Sequence, residues 1–194
     1  MKHTIIAAHP DSKSFTLAVA HAYCDAVKAK GHEAELRDLY AMDFDPRLKA
    51  SEIPGRKDFA PAADVKAERA LLKDAQVFAF IYPFWINAPP AILKGYIDRV
   101  FGLGFAYGPQ ESASQPLLTG RKMISFTSSG APSDWVQKTG AWDAERALFD
   151  KHLAALCGLE VIDHIHFGGI VPGIRADVIE RHLDEVRAAV AKHF

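Results

Sequence analysis

Four short segments concentrate the residues able to bind or react. The first, His9-Pro10-Asp11-Ser12-Lys13-Ser14-Phe15-Thr16, runs into a helix. Backbone N–H groups at a helix start, helped by Ser and Thr hydroxyls and by a lysine or histidine, suit a phosphate. Ser12 or Ser14 equally suits a plain helix cap. Neither G-x-G-x-x-G nor G-x-x-x-x-G-K-[ST] is present, which disfavours the common dinucleotide fold and a nucleoside triphosphatase. The second segment, Pro83-Phe84-Trp85-Ile86-Asn87-Ala88-Pro89-Pro90, sets large apolar groups at a strand tip. They forgo packing energy there unless a flat ligand or a second subunit covers them, or unless they close the core around the loop. Asn87 either donates to a ring carbonyl or caps the next helix. The third segment is the serine–glycine loop Ser128-Ser129-Gly130-Ala131-Pro132. In the fourth, His164 and His166 are alternate residues of a strand and share a face. Zinc usually takes three protein ligands, Asp163 points the other way, and no Cys pair or H-E-x-x-H accompanies the histidines. No metal site is expected, and His166, near a strand end, is placed to touch a substrate. Ser129, Asp134 and His166 suggest a hydrolase triad, but the serine sits in no G-x-S-x-G elbow.

Alternating strands and helices must position these segments. Short runs bounded by turn residues predict strands over 2–8, 77–82, 122–127 and 160–167, with 77–82 the most central, and alternation of Ala34 and Leu36 with charged residues predicts an outer strand over 33–39. Threefold and fourfold spacing of Leu17, Ala20, Cys24 and Val27 predicts a helix over 15–30, stopped at Gly31. Further helices are expected over 62–74 (apolar face Val65, Leu71, Leu72), 91–101 (Ile92 and Tyr96 on one face), 141–156 and 174–192. Pro89-Pro90 is compatible with the start of the third helix, because first-turn N–H groups have no internal partner. Residues 40–61 and 102–120 lack a steady period and read as surface excursions. Five strand–helix alternations ask for one parallel sheet covered on both faces, in a single domain over 1–194. Open sheets of this kind bind ligands beyond the carboxyl ends of their strands, where residues 9–16, 83–90, 128–138 and 168–173 are expected.

Composition narrows the classes. The chain has 194 residues, 49% hydrophobic and 24% charged, and a formal charge of -1. That describes an ordinary globule, neither disordered nor collagen-like, with no balance favouring nucleic acid. Only two cysteines occur, Cys24 and Cys157, which fit buried structural thiols in a reducing compartment. No run approaches the roughly 20 apolar residues of a membrane helix, and the N-terminal apolar stretch is too short for a signal peptide. A cytoplasmic protein without membrane insertion is expected.

The run from Tyr82 to Phe101, Tyr-Pro-Phe-Trp-Ile-Asn-Ala-Pro-Pro-Ala-Ile-Leu-Lys-Gly-Tyr-Ile-Asp-Arg-Val-Phe, with Gly104-Phe105-Ala106-Tyr107 after it, closely resembles the signature of the NAD(P)H:quinone oxidoreductase family. His9 with Ser14-Phe15-Thr16 resembles that family's flavin-phosphate loop, and Ser125-Phe126-Thr127-Ser128-Ser129-Gly130 resembles its third flavin loop. The likeness covers nearly the whole chain. It implies a flavodoxin-like α/β three-layer sandwich with a five-stranded parallel sheet in the order 2-1-3-4-5. It also implies a flavin, FAD or FMN with FAD preferred, and NAD(P)H as reductant. His9, Ser14, Phe15 and Thr16 would hold the phosphate and ribityl chain. Pro83, Phe84, Trp85, Ile86 and Asn87 would line the isoalloxazine ring, and Thr127, Ser128, Ser129 and Gly130 would wrap its pyrimidine side. Trp85, Ile86, Trp135 and His166 would form the pocket for a quinone or other small aromatic acceptor. A homodimer is implied, with residues 102–107 near its interface.

The best-known branch of the family carries a tyrosine and a histidine beyond the third loop, matched here approximately by Trp135 and Ala141, so that pair does not carry over. The mechanism implied is ping-pong: hydride passes from NAD(P)H to flavin N5, and a quinone then takes the vacated place. Two alternatives accompany it. One is a flavin-bound regulatory subunit of a potassium-efflux transporter, docking through residues 40–61. The other is an azo or nitroaromatic reductase.

Overall fold

Residues 1–109 and 115–194 are described by a computed structural model. Residues 110–114, part of the second surface excursion, lie outside the described residues. The five long strands are β1 (Lys2–Ala7), β2 (Glu33–Asp38), β3 (Val77–Pro83), β6 (Lys122–Ser128) and β7 (Glu160–Phe167). All pair in parallel, in the order β2-β1-β3-β6-β7. Counted as long strands alone, that is 2-1-3-4-5. β3 is buried along its whole length, as expected of a central strand covered on both faces.

Two helical layers do the covering. On one face Ile5, Ile81, Ile124, Phe126 and Phe167 pack against Leu17, Tyr23 and Val27 of α1 (Phe15–Ala29) and Val186 and Val190 of α7 (Ala176–His193). On the other, Ile6, Phe78, Phe80, Tyr82 and Met123 meet Leu93, Tyr96 and Val100 of α3 (Ala91–Val100), along with Phe149 and Leu153. Because β1 feeds α1 and β3 feeds α3 on opposite faces, the loops leaving these neighbouring strands diverge. A crevice opens at their tips, the ligand position typical of such sheets.

Several local departures have physical causes. In α2 (Ala63–Leu72) Val65 and Leu72 are buried as expected, but Leu71 is exposed. The inward face takes Glu68 instead, whose carboxylate accepts from Arg37 Nε at 2.8 Å and Nη2 at 2.6 Å and from the Tyr96 hydroxyl at 2.8 Å. Part of the second excursion forms a small antiparallel pair, β4 (Tyr107–Gly108) with β5 (Gln115–Pro116). The exit loop of β6, residues 128–132, leads straight into a short helix the spacing did not signal, α4 (Ser133–Lys138). The helix expected over 141–156 is present but tripartite. Its middle, Arg146–Lys151, is wound as a π-helix between α5 (Ala141–Glu145) and α6 (His152–Cys157).

The first excursion is strapped to α3. Arg99, fully buried, donates to both oxygens of Glu52 at 2.9 Å, and to Asp64 at 2.7 and 3.0 Å. One turn earlier a Cβ on Gly95 would collide with the Pro46 carbonyl oxygen. Only glycine permits that approach.

Candidate functional site

The helix start after β1 is built by turn chemistry. Asp11 N–H donates to His9 Nδ1 at 3.0 Å, Lys13 N–H to Asp11 Oδ1 at 2.8 Å, and Ser14 N–H to the Asp11 carbonyl at 3.1 Å. Ser14 caps α1, its hydroxyl accepting from Leu17 N–H at 3.3 Å. Among the described residues the N–H groups of Phe15 and Thr16 have no acceptor, and such first-turn donors attract an anion.

The loop after β3 is a tight turn. Ala88 N–H reaches the Trp85 carbonyl at 3.1 Å, while Ile86 and Asn87 take φ of 51° and 55°. Positive φ at both central positions is type I′ geometry, which Asn accepts and a β-branched residue does not. Ile86 is nonetheless 99% exposed, and Trp85 is 45% exposed, so no packing within the chain offsets this strain. Strain with nothing visible to support it is a mark of functional loops. Asn87 does not cap α3, whose cap position is Pro90.

The loop after β6 closes the third side. Phe84 N–H donates to the Ser128 carbonyl at 2.6 Å and Ser129 N–H to that of Phe167 at 3.0 Å, tying the strand tips together. Between the three loops lies an open hollow bordered by His9, Phe15, Thr16, Pro83, Trp85, Ser128, Ser129, Gly130 and Ile170. The His9 and Trp85 rings stand 5.5 Å apart across it.

Of the residues singled out in the sequence, His9, Phe15, Thr16, Pro83, Trp85, Ser128, Ser129 and Gly130 border this hollow. Ser14 lies directly behind it as the helix cap, and Ile86 and Asn87 at the outer turn. Phe84 is buried beside Val136 and Ala141 and faces His166 edge-on at 5.8 Å. Trp135 is half exposed on α4. Thr127 is buried behind the loop, where its hydroxyl bonds His164 and His166 at 3.0 and 2.9 Å. Those two histidines share a face, as alternation requires, and border a second hollow with Ser133, Val136, Gln137 and Trp142. Asp163, on the opposite face, pairs with His193 at 2.9 Å. Burial pushes the thiols of Cys24 and Cys157 up to about 11 and about 12, so neither is a ready thiolate.

Sequence reasoning missed Asp150 and Glu145. Asp150 contacts His164 Nδ1 at 2.6 Å, and Glu145 accepts from the Tyr82 hydroxyl at 2.6 Å. Both are buried, on a helix whose mixed face gave no sign of which charges turn inward.

Three loops converge beyond the carboxyl ends of a parallel sheet whose 2-1-3-4-5 order is that of a flavodoxin-like fold, with the Phe15 and Thr16 amides at one corner. A family profile described as flavodoxin-like fold matches residues 1–192. The chain is 33% identical over 171 residues to an uncharacterized NAD(P)H oxidoreductase of Haemophilus influenzae, covering 88% of this chain and 85% of that one. It is 28% identical to the guinea-pig (Cavia porcellus) NAD(P)H dehydrogenase [quinone] 1, over 90% of this chain and 72% of the other. The solved NAD(P)H:quinone oxidoreductase of Methanothermobacter marburgensis superposes with a TM-score of 0.86 at 28% identity, covering 100% and 98% of the two chains. The chain belongs to the flavodoxin-like family of NAD(P)H oxidoreductases. It is an oxidoreductase.

Proposed function

We propose that the chain is a flavin-dependent NAD(P)H:quinone oxidoreductase working by a ping-pong cycle. The observation that carries this reading is the hollow between three loops, with the Phe15 and Thr16 amides, which have no acceptor among the described residues, at its edge. The residues fit the group. Those amides and the Thr16 hydroxyl would hold the phosphate, Pro83 and Trp85 would flank the ring, and Ser128, Ser129 and Gly130 would meet its pyrimidine edge. A bound flavin supplies two-electron hydride chemistry. The protein's part is orientation: the strand-tip bonds from Phe84 and Ser129 fix the loops, and preformed amides need no reorganisation during reaction. One side of the hollow is open, so reductant and quinone take turns at it.

The exposure of Trp85 and Ile86 at that opening supports a homodimer in which a second copy completes the wall. Two buried free thiols support a reducing compartment, the cytoplasm. Among the described residues no helix is long and apolar enough to cross a membrane.

The test is the visible spectrum after separate reconstitution with FAD and with FMN. Protein-bound flavin absorbance, bleached by NADPH and restored by benzoquinone, is expected. Absence of bound absorbance with both flavins rejects the reading, and comparison of the two titrations ranks FAD against FMN.

A further inference from the structure

Behind the third loop, five side chains form an unbroken line of hydrogen bonds. Asp150 Oδ2 meets His164 Nδ1 at 2.6 Å, and His164 Nε2 meets Thr127 Oγ1 at 3.0 Å. Thr127 Oγ1 also meets His166 Nδ1 at 2.9 Å, and His166 Nε2 meets Ser129 Oγ at 2.9 Å. Ser129 Oγ lies 3.0 Å from the Ala131 carbonyl, which already receives Gly169 N–H at 2.9 Å. The inner end is sealed, with the His164 and Asp150 side chains 1% and 2% exposed. Ser129, the outer end, borders the sheet-tip hollow.

The line depends on register. β7 carries one extra residue opposite Met123 and Ile124, which sets His164 beside Ser125 and His166 beside Thr127. Without the bulge Thr127 would face Ile165, since a one-residue slip exchanges every neighbour. Asp150 arrives from the π-wound turn Arg146–Lys151, an irregularity frequent at functional sites.

A hydroxyl has one proton to give and a neutral imidazole has one N–H. Two proton arrangements therefore satisfy the whole line. In the first, His164 Nδ1–H donates to Asp150 and every other bond points inward: Ser129 to His166, His166 to Thr127, Thr127 to His164. In the second, His164 carries protons on both nitrogens and every bond beyond it points outward, ending with the Ser129 hydroxyl on the Ala131 carbonyl. The two differ by one proton. That proton enters or leaves at Ser129 and resides at the Asp150–His164 pair.

We propose that Asp150, His164, Thr127, His166 and Ser129 form a wire that carries one proton from the buried pair to an acceptor lying against Ser129 in the hollow. The proposal rests on the reading of that hollow as the seat of quinone reduction. Converting NAD(P)H and a quinone to NAD(P)⁺ and a hydroquinone moves two electrons and one hydrogen as hydride, and consumes one further proton. The wire supplies it: the outward arrangement gives up its proton at Ser129 and becomes the inward one, leaving neutral His164 beside the Asp150 carboxylate. Recharging returns a proton from solvent along the same line, entering at Ser129 from the open hollow.

The surroundings suit this use. Burial, and then the neighbouring His164, lowers His166 to about 4, so it passes a proton without trapping one. The Trp142 ring covers both imidazoles, with centroids at 4.6 and 5.7 Å, and Arg146 lies over that ring at 5.9 Å. The other titratable groups facing the inner end are Glu145, raised by burial, and Tyr82, raised well above its usual value by burial and then by Glu145.

The test has a flavin-free arm and a kinetic arm. In ¹⁵N-histidine spectra of the apoprotein, one pH step should both doubly protonate His164 and move the His166 proton from Nδ1 to Nε2. Thr127→Val should uncouple these events and Thr127→Ser restore them, with thermal melts confirming folded variants. A His166 tautomer indifferent to His164 overturns the wire, whether or not the protein binds flavin. In stopped flow on the reconstituted enzyme, Thr127→Val and Asp150→Asn should slow reoxidation by benzoquinone about 100-fold and far more than reduction by NADPH. Thr127→Ser should recover the rate, and the wild-type step should slow in D₂O. Equal slowing of both half-reactions, or none, overturns delivery to the quinone. A protein that binds no flavin rejects that destination too, while the spectra still judge the wire.

Discussion

Ser14 and Thr16 sit side by side at the start of α1 yet should fail differently. The Ser14 hydroxyl is engaged with Leu17 N–H, so Ser14→Ala should cost about 1 kcal/mol of stability through the lost cap. Thr16 is buried at the hollow, and Thr16→Ala should weaken flavin retention roughly tenfold or more, the scale of one bond to a charged group. Calorimetric titration beside thermal melts of both variants separates the two effects. Unchanged flavin affinity in both would remove the phosphate role from this loop. Ile86 offers a second contrast. Its positive φ is strained for a β-branched side chain, and nothing in the chain packs on it. Ile86→Gly should therefore raise stability by about 1 kcal/mol in urea titrations. If the turn serves the acceptor, the same change should raise the quinone KM. For the half-exposed Trp85, alanine should alter acceptor kinetics more than the melting temperature.

Among the elements, α3 is the one on which the site leans, because it follows directly from the strained turn. The first excursion is locked to it by Gly95 and Arg99. Adding one methyl at Gly95 forces Pro46 away, so Gly95→Ala should destabilise by about 1–3 kcal/mol, the usual cost of overpacking. Arg99→Met would leave Glu52 buried without its partner, and loss of one member of a buried pair costs about 3–5 kcal/mol. Denaturant midpoints would read both; a midpoint unmoved in Arg99→Met would show the strap to be dispensable. This lock also bears on residues 40–61 as a docking surface, since their polar anchors at Asp45 and Glu52 are spent on α3.

For the molecule as a whole, acid sensitivity follows from buried histidines and paired carboxylates. Burial is the main cause that lowers His3 and His166 to about 4 from an ordinary 6.5. Between those values the unfolded chain binds protons that the native state refuses, so stability falls as pH drops from about 6.5 towards 4. Asp64 lies below its ordinary value chiefly through its bonds from Arg99. Glu52 lies below its own because bonds from Arg99, Lys49 and Ala62 outweigh the upward push of burial. Their contribution is present above the unfolded carboxylate range near 4 and is lost below it. Melting temperatures should therefore be flat above pH 7 and decline in two overlapping stages below it. A flat profile down to pH 5 would contradict the histidine stage. The outer wall of the hollow also sets an expectation for assembly: sedimentation should give a dimer that Ile86→Glu weakens.

The alternation of apolar runs and threefold–fourfold stripes is a local property, and the sequence by itself settled the five strands, the main helices and the strand tips where His9, Thr16, Trp85 and Ser129 meet. Buried strands must be apolar throughout and helices must show one apolar stripe, so both leave a readable period. The 2-1-3-4-5 order came through resemblance to a family, carried by the run from Tyr82 to Phe101. Only the tertiary structure decided where polar side chains find partners. Glu68 sits on the inward face of α2 because Arg37 and Tyr96 are there to receive it, and Asp150 faces His164 because a π-wound turn rotates it inward. Thr127 joins the two histidines because a bulge shifts β7 by one residue. Such partnerships link residues tens of positions apart through register and helix winding, and neither leaves a trace in the spacing of residue types along the chain.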